Sequence, residues 1–230
     1  MIRALAGVVC AAALLFGGHA AAYEKTSEHE ALKIYEWTVL VSPSVNARPS
    51  LKQTMLRNLD AQLAKIRSSI RPEAMRQVVK ARIWLDVTSR GNDGHHVIGQ
   101  YFPSRTWLRT NGMNPDKYQG VQLNALFAKD GTQGTVVFHE LAHVYHDRRI
   151  KNSNRIQRMW EAAWLAHPDG FDNCGRKTQA YAFRDPGEFF ATYSQAYLSR
   201  NCAFPYDRAT IQRIDPKMLA FLQKIWGPLR

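Results

Sequence analysis

Val136-Val137-Phe138-His139-Glu140-Leu141-Ala142-His143-Val144-Tyr145-His146 constrains this chain more than any other stretch. A helix turns about 100° per residue, so side chains four apart stand on one face, one turn above the other. His139 and His143 can therefore aim two imidazoles at one point. Val136, Val137, Phe138, Leu141, Val144 and Tyr145 surround them with bulky apolar groups. A solvated helix would carry polar residues there. The pattern predicts a mostly buried helix with a few polar groups converging at one place.

Two neutral imidazole nitrogens, each about 2.0–2.1 Å from a shared Zn²⁺, make half of a tetrahedral site. Glu140 follows the first imidazole and stands beside the metal position, where it can hold a water. H-E-x-x-H on a helix is the pattern of zinc peptidases, with the Glu as general base. The motif supplies two ligands and requires a third. His146 is a poor choice, because it lies seven residues from His139, roughly 10 Å along the axis at about 1.5 Å per residue. It reads as a satisfied or supporting histidine. A histidine ten residues after His139 is absent, since Arg149 stands there. His95 and His96 are adjacent, so in extended backbone they point opposite ways and read as exposed.

Glu188 has two readings. Asp185-Pro186 is a strong helix start, with Pro at the first helical position. Glu188, three residues after Asp185, fits the reciprocal Glu of a capping box. It also fits the missing ligand, completing a two-His, one-Glu site that leaves a fourth position for water.

His139-Glu140-Leu141-Ala142-His143, then Glu188-Phe189-Phe190-Ala191, with Tyr181 seven residues before the Glu, resembles the anthrax lethal factor catalytic-domain family. The secreted Pro-Pro endopeptidases are relatives of that family. The resemblance runs from about Thr132 to Tyr197 and more faintly back to Tyr101. It implies a gluzincin, in which the third zinc ligand is a Glu on a later helix. Zinc would be bound by His139, His143 and Glu188, with Glu140 as base and Tyr181 stabilising the oxyanion. The sequence departs from the family at Thr192, where an acidic residue usually stands four after the ligand Glu. A hydroxyl orients a ligand histidine more weakly than a carboxylate does. In zinc peptidases of this general class the strand before the metal helix is commonly an edge strand that accepts an extended peptide. Here that strand would be Gly120–Ala125; an interior position is the alternative.

The rest of the chain is read around this site. Residues 1–22 have the form of a secretory signal: Arg3, an apolar run from Ala4 to Phe16, and small residues Ala20-Ala21-Ala22. That run is too short to span a membrane, and no later segment approaches that length. Residues 23–230 are expected to form one domain, secreted or periplasmic. Cys10 leaves with the signal, and Cys174 and Cys202 suggest one disulfide. The net charge of +12 favours anionic surroundings. The basic residues are scattered without a dense tract, so no nucleic-acid role is expected.

Ile34–Val41 reads as a strand ended by Ser42-Pro43. Ser50 is expected to cap a helix carrying Leu51, Met55, Leu59, Leu63, Ile66 and Ile70, stopped by Pro72. Arg82–Val87 reads as a strand with Ile83, Leu85 and Val87 alternating against Arg82, Trp84 and Asp86. Gln100–Asn114 is aromatic and turn-prone. The metal helix should start near Thr132 or Thr135 and run to about Arg149. Arg155–Ala166 and Met218–Trp226 are further helices, the last started by Asp215-Pro216 and stopped by Gly227-Pro228. The expected fold is a single α+β zincin-like domain: a small twisted sheet, an active-site helix and a mostly helical C-terminal part. The expected function is an exported zinc metalloendopeptidase acting on peptide or protein substrates. Two rivals are a catalytically silent zinc-binding module that holds a peptide or an envelope partner, and a structural protein that binds acidic polymers.

Overall fold

A computed structural model of the chain describes residues 23–88, 97–130, 136–167 and 178–228. The signal segment 1–22, His95, His96 and Cys174 lie outside the described residues, and with Cys174 the expected disulfide. The described residues form an α+β structure built on one five-stranded sheet.

The first element departs from expectation. Ile34–Val41 is not one strand but half of a hairpin, β1 (Glu30–Ile34) and β2 (Trp37–Val41), with Ile34 opposite Trp37. Tyr35 makes the turn at φ 52°, a conformation usually supplied by Gly or Asn. The Arg67 guanidinium covers its ring at 5.5 Å and bonds Glu36 at 2.9 Å. After the short α1 (Pro43–Asn46), α2 runs over Pro49–Ser69. Its N-cap is Arg48 rather than Ser50. α2 ends at Ser69, ahead of Pro72 as expected, and Pro72 also opens α3 (Pro72–Val78). Proline fits the first turn of a helix, where its missing N–H has no partner to lose.

β3 (Ile83–Leu85) is shorter than expected and buried on both faces, with Trp84 as covered as its neighbours. β4 (Gly99–Tyr101) and α4 (Arg105–Thr110) lie within the turn-prone stretch. β5 (Val121–Leu123) and α5 (Phe127–Asp130) follow. The strand order is β1-β2-β3-β5-β4. β2, β3 and β5 are parallel, while β1 and β4 run antiparallel to their neighbours. β5 is therefore interior, and the edge strand next to it is β4, not the strand directly before the H-E-x-x-H helix.

The helix carrying His139, Glu140 and His143, α6 (Val136–Tyr145), passes into a π-helical turn at His146–Ile150. α7 (Asn154–Ala166), α8 (Pro186–Leu198), α9 (Arg208–Ile214) and α10 (Pro216–Trp226) complete the chain. Val39, Val41, Ile83, Leu85, Val121 and Leu123 point one face of the sheet into the main core, with Met55, Leu59, Leu63, Val137 and Leu141. α6 packs against both β4 and α8. Trp226 of α10 holds the helices together, with ring centroids 4.8 Å from Phe138, 5.0 Å from Tyr145 and 5.9 Å from Phe190. Its indole N–H donates to Ser194 at 3.0 Å. Among the described residues no helix is long and apolar enough to cross a membrane.

Candidate metal centre

The helical spacing brings His139 and His143 together, their Nε2 atoms 3.2 Å apart. His139 and Glu140 are buried among Val137, Phe138, Leu141 and Ala142. α8 supplies the third member. Asp185 caps it by accepting from the Glu188 amide at 2.9 Å, and Pro186 fills the first turn. The Glu188 side chain turns toward the histidines. Its Oε2 lies 3.1 Å from His139 Nε2 and 3.3 Å from His143 Nε2. Glu188 thus joins the histidines in a group able to hold a metal ion. His146 stays outside it, packing its ring 5.8 Å from Phe190.

The three atoms pass a geometric test for zinc. Ligands about 2.0–2.1 Å from a tetrahedral ion stand about 3.3 Å apart, and the observed edges are 3.2, 3.1 and 3.3 Å. With both Nε2 atoms deprotonated, the two imidazoles and the carboxylate would present lone pairs to one another, an arrangement that a cation at the centre would satisfy.

Glu140 lies to one side of this triangle, beneath β4. A Cβ on Gly99 would sit 3.0 Å from Glu140 Cγ and 3.1 Å from its Oε1, so a larger residue at 99 would press the carboxylate aside. Burial raises the Glu140 pKa to about 7. The nearby Glu188 charge adds to the rise, while His139 and the Tyr101 backbone work against it. Burial also pushes Glu188 upward, but its bonds to both histidines prevail and hold it below the usual carboxylate range.

Tyr181 stands on a 3₁₀ turn, Tyr181–Phe183, and donates its hydroxyl to Glu188 Oε1 at 2.9 Å. Burial, reinforced by Glu188, raises its pKa and keeps the phenol a proton donor. Thr192 is buried, and its Oγ1 has no hydrogen-bond partner among the described residues, His139 and His143 included.

Sequence reasoning missed the residues that frame His143. The Tyr101 ring lies parallel to it at 6.5 Å and 8°, and the Tyr101 hydroxyl donates to Asp147 at 2.8 Å. Asp147 stands four residues after His143, the spacing that joins the two histidines, and this was the available signal. Together these groups line a cleft of about 330 Å³, with Gly99–Tyr101 on one wall and Tyr181 and Arg184 on another.

Comparison with protein-family models, with curated proteins and with solved structures found no match.

Proposed function

We propose that this chain is an exported zinc metallopeptidase with a zincin-like domain of gluzincin type. The observation that carries the reading is the triangle of His139, His143 and Glu188, with edges of about one tetrahedral spacing, next to a buried Glu140 (6% exposed). Zinc, when bound there, supplies Lewis acidity toward water and the scissile carbonyl. Glu140 accepts the proton of the attacking water and later returns it to the leaving amine. Its buried carboxylate, held beside the triangle, is placed for both transfers. Tyr181, whose hydroxyl here bonds Glu188 Oε1, would turn that donor to the carbonyl oxygen as the oxygen becomes negative, and a donor placed at developing charge lowers a barrier.

The sheet edge supports a peptide substrate. Ile98 accepts from Asn124, and Phe102 donates to Gly120. Main-chain groups alternate along an antiparallel strand, so Gly99 and Tyr101 turn theirs away from β5. An extended peptide would lie along that side and cross the cleft above Glu140. The apolar run in residues 1–22 supports export.

Zinc per chain in wild type beside Glu188→Ala, together with hydrolysis of a mixed peptide library by wild type and Glu140→Ala, tests the proposal. The expected results are site-bound zinc lost in Glu188→Ala, and zinc kept but hydrolysis lost in Glu140→Ala. Wild type that binds zinc at this site and cleaves nothing supports the silent-module reading. Full activity in Glu140→Ala refutes the mechanism.

A further inference from the structure

A second set of acceptors converges on the opposite face of the sheet, away from the Glu140 cleft. Trp84 faces this side by alternation with Ile83 and Leu85. His29 is held there, its ring 5.1 Å from that of Trp84. His29 Nδ1 lies 2.9 Å from the Lys25 carbonyl oxygen. A carbonyl only accepts, so Nδ1 carries the hydrogen, and in the neutral ring Nε2 carries the lone pair. The His29 side chain is 0% exposed, and Nε2 has no hydrogen-bond partner among the described residues. It faces Asp86 Oδ1 at 3.8 Å, too far for a hydrogen bond. Two acceptors directed at each other across this gap require a positive species between them.

Glu24 closes the group. One ligand atom from each of Glu24, His29 and Asp86 lies within 4.8 Å of the others. The Ser44 amide donates to Glu24 Oε1 at 3.1 Å and fixes that carboxylate. Lys117 bonds the other oxygen of Asp86 at 2.8 Å and Gln122 at 2.9 Å, leaving Oδ1 turned toward His29. A backbone carbonyl on the far nitrogen of an imidazole is the arrangement that orients ligand histidines.

We propose that Glu24, His29 and Asp86 form a second divalent-metal site that pins residues 24–29 to the back of the sheet. One imidazole and two carboxylates suit a zinc-class ion, which would draw the 3.8 Å gap between His29 and Asp86 in toward about 3.3 Å. The two carboxylate charges offset the ion and Lys117 in part. A proton on Nε2, giving an imidazolium paired with Asp86, is the competing occupant of the gap.

The inference is independent of the proposed catalytic function, and the test separates them. Chelator-stripped full-length protein is titrated with ZnCl₂ alone and the zinc bound per chain is counted. Wild type, His139→Ala, His29→Gln and Glu24→Gln are compared, each checked for native circular dichroism. Expected are two equivalents in wild type and one in each variant. One equivalent in wild type, none in His139→Ala and one in His29→Gln and Glu24→Gln overturns the proposal and leaves His29 protonated. One equivalent kept in His139→Ala but lost in His29→Gln and Glu24→Gln supports it and removes the catalytic site instead. No zinc in wild type overturns both. Glu24→Gln, altered at a partly exposed position, keeps the test decisive if His29→Gln does not fold.

Discussion

Glu140 carries a cost in the metal-free protein that gives its environment a measurable signature. Its pKa is raised from 4.5 to about 7, first by burial. Between those values the folded chain holds a proton that the unfolded chain has released. Stability therefore falls as pH rises through this window and stays low above it. Glu140→Gln removes the penalty. In chelator, the variant is expected to be more stable than wild type by about 3 kcal/mol near pH 8, at about 1.4 kcal/mol per pKa unit. The difference should vanish near pH 4; urea melts at both pH values check this. Gly99→Ala acts on the same carboxylate from the strand side. The new Cβ would lie 3.0 Å from Glu140 Cγ, so kcat/KM on a cleaved peptide is expected to fall at least about tenfold, a misplaced base costing over about 1.4 kcal/mol of barrier. Zinc content should be unchanged. The motif made His139, Glu140 and His143 legible, and helix-start chemistry made Glu188 a candidate. Gly99, Tyr101 and Asp147 were not legible as a group, because only the folded sheet brings β4 over the helix.

Helices were more readable than strands because caps and periodicity mark them. Asp185 before Pro186 announced α8, and Asp215 before Pro216 announced α10. β3 and β5 were legible inside the longer stretches Arg82–Val87 and Gly120–Ala125, though each is three residues, whereas β4, also three residues, was not read as a strand. The hairpin at Tyr35 escaped because no glycine or asparagine marks its turn. Strand order depends on which segment crosses to the edge, which adjacency in the chain does not determine; hence β5 lies inside and β4 outside. At this scale Asp185→Ala is the informative change. Losing an N-cap costs about 1 kcal/mol, and here it also frees the first turn that aims Glu188. The variant is expected to weaken zinc affinity beyond that stability loss, by about 10-fold, as loss of support to a ligand does. Competition with a chromophoric chelator measures it.

Across the whole molecule, the site is a relation between α6 and α8, and α10 maintains it. Trp226→Ala is expected to destabilise the fold by about 3–5 kcal/mol, read from chemical denaturation. Residual folded protein should bind zinc less tightly, because Phe138 and Phe190 lose the ring set against both. The α+β class and the helical C-terminal part were legible from the sequence, since long periodic segments dominate it. The dependence of α6 on α10 was not, because it rests on contacts between distant aromatic residues. It carries a temporal consequence. Synthesis proceeds from the N-terminus, and both helices that carry the candidate ligands are complete once Leu198 has been made. Ser194, however, receives its indole partner only 32 residues later. The centre therefore matures late, and a nascent chain halted before Trp226 would show uncovered aromatic surface to chaperones or proteases in place of a finished cleft.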